Sequence, residues 1–277
     1  MSRSPRRACV RRLAAVRRSI SAPRLFAPRL PAARAARQRA AACLLIAACL
    51  LLPAAAQAEE DAAARLANRL YFYSGVDVAR DNAYGWAGAA WAPFAAMDHE
   101  GLRLRAQGGL GQYRYRTDAV AGGWNTGTKT EGELLAGWQF LRGPHALALY
   151  AGANVVDNRL EHPDPGNPDQ GTQPGAKIVA EYYGRLLPDL VASAAAGFST
   201  ADRTATLRLT AAKVMDGGWE IGTEAGALTD RLSSEARAGG FVNLPLLGAM
   251  VRAAVGWRWS SDSDDGAYGT LSLYRPY

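Results

Sequence analysis

Three features of the sequence predict an all-β fold, an antiparallel up-and-down outer-membrane β-barrel of about twelve strands behind a cleaved signal peptide. Apolar and polar residues alternate with period two from Leu70 to Tyr277, as they do in strands with one apolar face. The segments between these strands alternate between tight turns and longer loops, which fits strands that run up and down through a bilayer. Beyond residue 58 there is no cysteine and no long uncharged apolar run, so neither disulfides nor a spanning helix supply the architecture.

Taken in bulk, the net charge of +7 over 277 residues points toward an acidic partner such as nucleic acid. Its distribution reverses that reading. Residues 1–58 hold twelve arginines and no acid, which leaves 20 basic and 25 acidic residues beyond them, a net charge of −5. No nucleic-acid partner is expected. The run "AACLLIAACLLLPAAA" (41–56) is a short apolar core, and Ala56-Gln57-Ala58 after it is a small-residue cleavage pattern. The core is shorter than the roughly 20 residues a spanning helix needs. It also continues past Cys49 as Leu50-Leu51-Leu52, which favours cleavage near Ala58/Glu59 over lipoprotein-type processing at Cys49. Cys9, Cys43 and Cys49 all fall within this leader. The predicted organisation is a signal peptide with a long Arg-rich leader (1–58), a short periplasmic segment (59–69) and a barrel domain (70–277).

The alternation places strands at 70–79, 83–92, 101–116, 129–141, 145–156, 176–187, 189–200, 203–214, 219–228, 233–243, 246–260 and 266–277. In "KIVAEYYGRLL", Lys177, Glu181 and Arg185 oppose Ile178, Ala180, Tyr182 and Leu186. In "LGAMVRAAVGWRWS", Arg252 and Arg258 oppose Val251, Val255, Trp257 and Trp259. Tight connections follow even strands, at Arg142-Gly143-Pro144, Pro188, Met215 to Gly218 and Leu244-Pro245, with 93–100 the exception. The longest loops, 117–128 and 157–175, and the acidic "SDSDDG" (261–266) follow odd strands. In "LSLYRPY", Leu271, Leu273 and Tyr277 share one face, which Arg275 interrupts.

A soluble β-sandwich or lipocalin-like barrel shows the same alternation with its faces exchanged. The strand lengths, the absence of helices and cysteines and the aromatic last strand favour the membrane barrel, whose lipid-facing side is the apolar one. Its lumen then holds Arg103, Arg105, Glu131, Glu133, Lys177, Glu181, Arg185, Arg208, Glu220, Glu224, Arg252 and Arg258, together with Asp77, Glu235 and Arg237. The two signs nearly balance, whereas a charge-selective pore favours one. Cross-lumen pairing is therefore the expectation.

Catalytic, metal and cofactor motifs are not expected. "GGLGQY" (108–113) sits within a strand with no helix after it, so it is no phosphate loop; a slip in the alternation there predicts a β-bulge. "GFSTA" (197–201) misses the last glycine of a nucleophile elbow, and Ser199 with His162 lacks an orienting acid. His99, His145 and His162 are spread over both rims. Asp157, Asp164 and Asp169 lack the spacing of a calcium loop. The candidate loop contacts are Trp124, Asn125, His162, Asp164, Asn167 and Asp169, with Trp124 placed either to stack on a sugar ring or to fold into the barrel mouth.

The blocks "FYSGVDVARDNAYGWAGAAWAPF", "DHEGLRLRAQGGLGQYRYR", "LALYAGANVVDNRLEHPDPGNPDQGTQPGAKIVAEYYG" and "GWEIGTEAG" together resemble the BcsS family of cellulose biosynthesis proteins, from about Tyr71 to Tyr277. That resemblance implies an exported β-barrel, a non-enzymatic accessory protein that assists export, anchoring or organisation of the glucan. It implies outer-membrane lipid, cellulose or glucan, and other cellulose-secretion components as partners, and carries over no catalytic residue. A small outer-membrane pore and an outer-membrane lipid or polysaccharide hydrolase are the competing readings.

Overall fold

The structure is a computed structural model that describes residues 68–275. The predicted leader with its cleavage site and cysteines, most of the 59–69 segment, and Tyr277 lie outside the described residues. Twelve strands follow one another: β1 (Leu70–Ala79), β2 (Asn82–Trp91), β3 (Gly101–Arg116), β4 (Trp124–Arg142), β5 (His145–Leu160), β6 (Gly171–Leu187), β7 (Leu190–Ser199), β8 (Ala205–Val214), β9 (Glu220–Thr229), β10 (Ser234–Leu246), β11 (Ala249–Ser260) and β12 (Gly266–Tyr274). Each pairs antiparallel with its chain neighbours, and β12 closes on β1 from Tyr73↔Tyr274 to Ala79↔Tyr268. Closure leaves no strand edge within the wall, the condition for a sheet to cross hydrocarbon.

The faces divide as the alternation predicts. Leu134, Val255 and Ile178 point outward and are 70%, 69% and 58% exposed, while Arg103, Glu224 and Arg258 are at most 5% exposed. On β11 the outward set runs from Ala249 to Trp259. At about 3.4 Å per residue and a tilt near 40°, that stretch gives an apolar band about 25 Å tall. Trp257 and Trp259 sit at its upper border, where aromatic girdles belong.

β3, β4, β5 and β6 are 16, 19, 16 and 17 residues long, and their upper ends form a four-stranded lip at the long-loop rim. Above Leu134, Val155 and Ile178 the outward residues turn polar: Thr126 to Thr130 on β4, Asp157 and Arg159 on β5, Thr172 on β6. The predicted loops at 117–128 and 157–175 are accordingly shorter, 117–123 and 161–170, because β4, β5 and β6 continue into the lip. Strands with polar residues on both faces carry no amphipathic signal, so the alternation stops where the lip begins.

The lip has two edges, and both are covered. Beside β3, Arg114 N–H donates to the Asp81 carbonyl (2.8 Å) and Arg116 N–H to the Asp262 carbonyl (2.9 Å). Beside β6, Thr200 bonds Ala176 through its backbone N–H and its hydroxyl (2.9 Å each). Pro174 has the same parity as Ala176 and lies past Lys177↔Ser199, the last β7 pair. Its missing N–H therefore removes no ladder bond. Pro245 obeys the same rule, two residues past the last β9 pair, Asn243↔Glu220. The β10–β11 turn consequently lies at Leu247-Gly248, not at Leu244-Pro245. Both turn residues have positive φ, 51° and 77°, as a twist-matched two-residue hairpin requires.

No bulge interrupts Gly108 to Gly111, where the register is continuous on both sides. These glycines make room instead. The Tyr84 ring lies along β3, and a Cβ on Gly109 would overlap its hydroxyl, while one on Gly111 would fall 2.5 Å from its Cδ2. The register shift in the wall lies between Arg185 and Leu187.

Gly109→Ala should destabilise the barrel by about 1–3 kcal/mol, the usual cost of overpacking. The cost should shrink in a Tyr84→Ala background, because the ring is what the methyl displaces. Urea titration of the unboiled, compact gel band measures both; equal costs in the two backgrounds would refute the ring-over-glycine packing.

Candidate functional site

A barrel of eight strands is just filled by side chains. Twelve strands enclose more, and three layers of side chains occupy the additional space.

The lowest layer lies at the short-turn rim. Within residues 92–100, Met97 is 3% exposed and Ala92 not at all, and they pack with Ala90 and Tyr71, while Phe94 is exposed. The segment is tied to the chain before β1 by Met97 N–H to the Asn68 carbonyl (2.7 Å) and Ala92 N–H to the Arg69 carbonyl (2.9 Å). Arg103, fully buried, donates to the carbonyls of Met97 (3.1 Å), Leu102 (3.0 Å) and His99. Gln139 adds a second donor to Met97 O (3.1 Å). A guanidinium offers five N–H groups in a fixed fork, so one residue can hold a whole loop.

The middle layer is ionic. Arg105 bridges Glu133 (3.0 Å) and Glu181 (2.6 Å) and lies over the Tyr150 ring, and Lys177 reaches Glu133 at 2.5 Å. On another part of the wall, Glu224 accepts from Arg208 (2.7 Å), Arg252 (2.6 Å) and the Tyr268 hydroxyl (2.8 Å). Arg252 also sits 3.4 Å above the Phe241 ring centre. Arg237 pairs with Asp77 (2.9 Å), Arg258 with Glu235 (3.1 Å), and Asn243 donates to Glu220 (2.6 Å).

The top layer builds the mouth. Asn125 on β4, 1% exposed, exchanges hydrogen bonds with the His162 backbone (2.9 and 3.2 Å) and donates to Tyr115 Oη (3.2 Å). Asp164 accepts from Tyr115 (2.9 Å), Thr117 (2.8 Å) and Gly166 N–H (3.2 Å). Thr117 is the foremost reason its carboxyl is held below the usual carboxylate range. Asn167 accepts from Asp169 N–H (2.9 Å), and Asn158 donates to the Asp169 carbonyl (2.8 Å). Burial pushes the Asp169 carboxyl up, with Arg231 opposing and Asp230 and Asp202 reinforcing. Burial also acts to raise Asp202, but the Lys129 ammonium at 2.9 Å and Thr204 bring it below its usual value.

A cavity of about 920 Å³ opens at this mouth, bordered by Tyr84, Trp86, Tyr113 and Tyr115. A second of about 510 Å³ lies below it and reaches Met97. Gln107, Lys177, Arg208 and Arg237 line both, so the two adjoin.

A family model described as cellulose biosynthesis protein BcsS matches residues 71–277. The chain belongs to the BcsS family. No curated protein matches it. Among solved structures, an outer-membrane channel from Pseudomonas putida F1 is similar at 11% identity and TM-score 0.52, covering 76% of this chain and 96% of that one. The translocator domain of the autotransporter NalP from Neisseria meningitidis covers 90% of this chain and 100% of its own, at 12% identity and TM-score 0.43. A KdgM porin covers 75% and 99%, at 8% identity and TM-score 0.43. At such identities the channel likeness speaks for the fold, an outer-membrane type of barrel.

Within this BcsS-family barrel, two of the expected site residues lie elsewhere. Arg185 is exposed at the short-turn rim, where the register shift swings it onto the Pro188 carbonyl (2.6 Å). Trp124 does not enter the mouth. It stands on the outer side of the lip, with Arg114 and Arg116 over its ring at 5.0 and 5.2 Å. Asn125, Asp164, Asn167 and Asp169 hold the 161–170 loop in place, and His162 is exposed beside them. Glu131 borders the upper cavity. Asp157 faces outward to Arg159 and Thr172, away from Asp164 and Asp169. Among the described residues no group of three His, Cys, Asp or Glu is arranged to hold a metal.

Ser199 Oγ accepts from Asn154 (2.9 Å) and Ala201 N–H (3.1 Å), and no histidine is among its bonded partners. Sequence reasoning missed the lumen aromatics. Their signal was present: Tyr71/Tyr73, Tyr84/Trp86 and Tyr113/Tyr115 recur two residues apart on the charged face.

Glu224→Ala leaves Arg208 and Arg252 without their carboxylate and should cost about 3–5 kcal/mol, read as a lower urea midpoint of the compact band. Asp202 makes a pH-dependent contribution. Its lowered folded pKa stabilises the mouth above the ordinary carboxylate pKa, and that contribution is lost as pH falls through the folded value. Lys129→Met should invert the sign, raising the Asp202 carboxyl above its ordinary value in a carbon-13 NMR titration.

Proposed function

We propose that this BcsS-family chain is a non-enzymatic accessory barrel of cellulose biosynthesis. It sits in the outer membrane with its long-loop mouth outward and its short-turn rim toward the periplasm. The observation that carries this reading is the wide mouth: a cavity of about 920 Å³ opens at the long-loop rim, while at the other rim Arg103 and Gln139 hold the 92–100 segment against β1 to β4. Such a cavity can hold or anchor a polymer at the surface. Support for the membrane comes from the apolar band about 25 Å tall and the polar, ion-paired lumen. Support for a non-enzymatic role comes from Ser199, whose hydrogen bonds go to Asn154 and Ala201, and from carboxylates engaged in ion pairs.

The alternative is a small pore. The lumen charges are paired along the wall with the two signs near balance, whereas a charge-selective pore favours one sign. Purified mature protein in planar bilayers should show little conductance, and Arg103→Ala, which frees the 92–100 segment, should introduce discrete steps. Deleting the gene should change cellulose yield or attachment. Large wild-type conductance would replace this reading with the pore; an unchanged cellulose phenotype would remove the accessory role.

A further inference from the structure

We propose that the lumen carries a binding track for a linear, neutral β-1,4-linked glucan, descending from the mouth along the inner faces of β1, β2 and β3. The inference rests on the functional reading above and adds the ligand class and the residues that hold it.

Four aromatic side chains form the track. Tyr113 stands at the mouth, its ring centre 5.9 Å from that of Tyr115, which is buried beside it. Tyr84 and Trp86 follow, 6.2 Å apart and within 20° of parallel. Tyr73 borders the lower cavity; Tyr150 next to it is buried under Arg105 and is not part of the track. Each of the four lies over glycine: Tyr113 over Gly127, Tyr84 over Gly109 and Gly111, Trp86 over Gly75 and Tyr73 over Gly88. A ring that spans two glycines of one strand, as Tyr84 does, lies flat on the wall. Its second face then looks into the cavity. Edge-on aromatics fill space, whereas rings laid flat side by side make a platform, and a platform suits a ligand with flat C–H faces.

The wall around the platform supplies the rest of the recognition. Asp77, Lys177, Thr206, Arg208 and Arg237 border the same cavities, and their charges are already compensated in pairs. Paired charges offer hydrogen bonds to hydroxyl groups without attracting a net ionic ligand. Apolar faces below and balanced polar groups around describe a neutral polyhydroxylated chain. A β-1,4-linked glucan is a straight ribbon with C–H faces on both sides; an α-1,4-linked one coils and cannot lie along a flat track. The cavities, about 510 and 920 Å³, lie in the usual range of ligand sites.

The test uses the mature full-length protein in detergent with cellohexaose, and with maltohexaose as the linkage control. Calorimetry should show cellohexaose binding and maltohexaose binding at least tenfold weaker. Trp86→Leu and Tyr113→Leu should each weaken cellohexaose binding several-fold to about tenfold, with the compact unboiled band as the check on folding. A readout in wild-type protein guards against variants that fail to fold: cellohexaose should protect Trp86 from N-bromosuccinimide oxidation, mapped by mass spectrometry. No cellohexaose binding, no protection of Trp86, or unchanged affinity in folded variants would overturn the track, and equal affinity for maltohexaose would overturn the β-linked assignment. If the cellulose phenotype of the deletion persists while binding fails, the track is wrong and the accessory role stands. If binding holds and the phenotype is absent, the accessory role fails and the site remains.

Discussion

Every backbone N–H and C=O in the membrane must be paired by the protein, because hydrocarbon offers neither donor nor acceptor. The β1–β12 pairing that closes the ring meets that demand, and much else in this chain follows from it. Closure fixes which face is inside. Polar residues of the alternation must point inward, since a charge at the lipid midplane costs several kcal/mol. With twelve strands the interior is too wide for aliphatic side chains to fill. It is filled by the longest side chains available, arginine, lysine and tyrosine.

Long polar side chains can fill a lumen only if their charges cancel. Arg105, Lys177, Glu133 and Glu181 form one balanced set, and on another part of the wall Glu224 is shared by Arg208, Arg252 and the Tyr268 hydroxyl. Buried pairs of this kind add little to stability over an apolar isostere, but removing one partner is costly. They therefore specify how strands up to three apart in the ring are set against one another. The glycines opposite the tyrosines act with them: by accepting rings flat against the wall, they keep the centre of the barrel from being choked by the residues that line it. An interior assembled this way can be ordered without being solid.

The wall was legible in the sequence because one physical rule governs it. Alternation of apolar and polar residues located all twelve strands and sorted the luminal charges, and only Arg185, at a register shift, escaped the rule. The lip was not legible, because above the bilayer neither face of β4, β5 or β6 needs to be apolar, and the runs 124–128, 157–160 and 171–175 then look like loop. Prolines misled in the same way. Pro174 and Pro245 read as turn residues, yet each sits in a strand just past the end of its neighbour, where the missing donor costs nothing. The clamp by Arg103 had no sequence signal beyond its parity, since its partners are backbone carbonyls, which no residue type announces.

The lip is also the one part of the molecule that the bilayer does not demand. A two-residue turn suffices to join strands at the same rim, as Arg80-Asp81 does between β1 and β2. Raising four strands above that level creates two sheet edges, each a liability for unwanted pairing, and places Asn125, Asp164, Asn167 and Asp169 out of water, which is tolerable only because each has hydrogen-bonding partners. The edges are closed by Asp81, Asp262, Thr200 and Pro174, and the polar cluster stiffens the tip against the barrel. What this costly construction achieves is a rigid inner wall that continues the lumen upward and brings Tyr113 and Tyr115 to the mouth in line with Tyr84 and Trp86. A loop could have carried the same side chains, but not in register with the rings below.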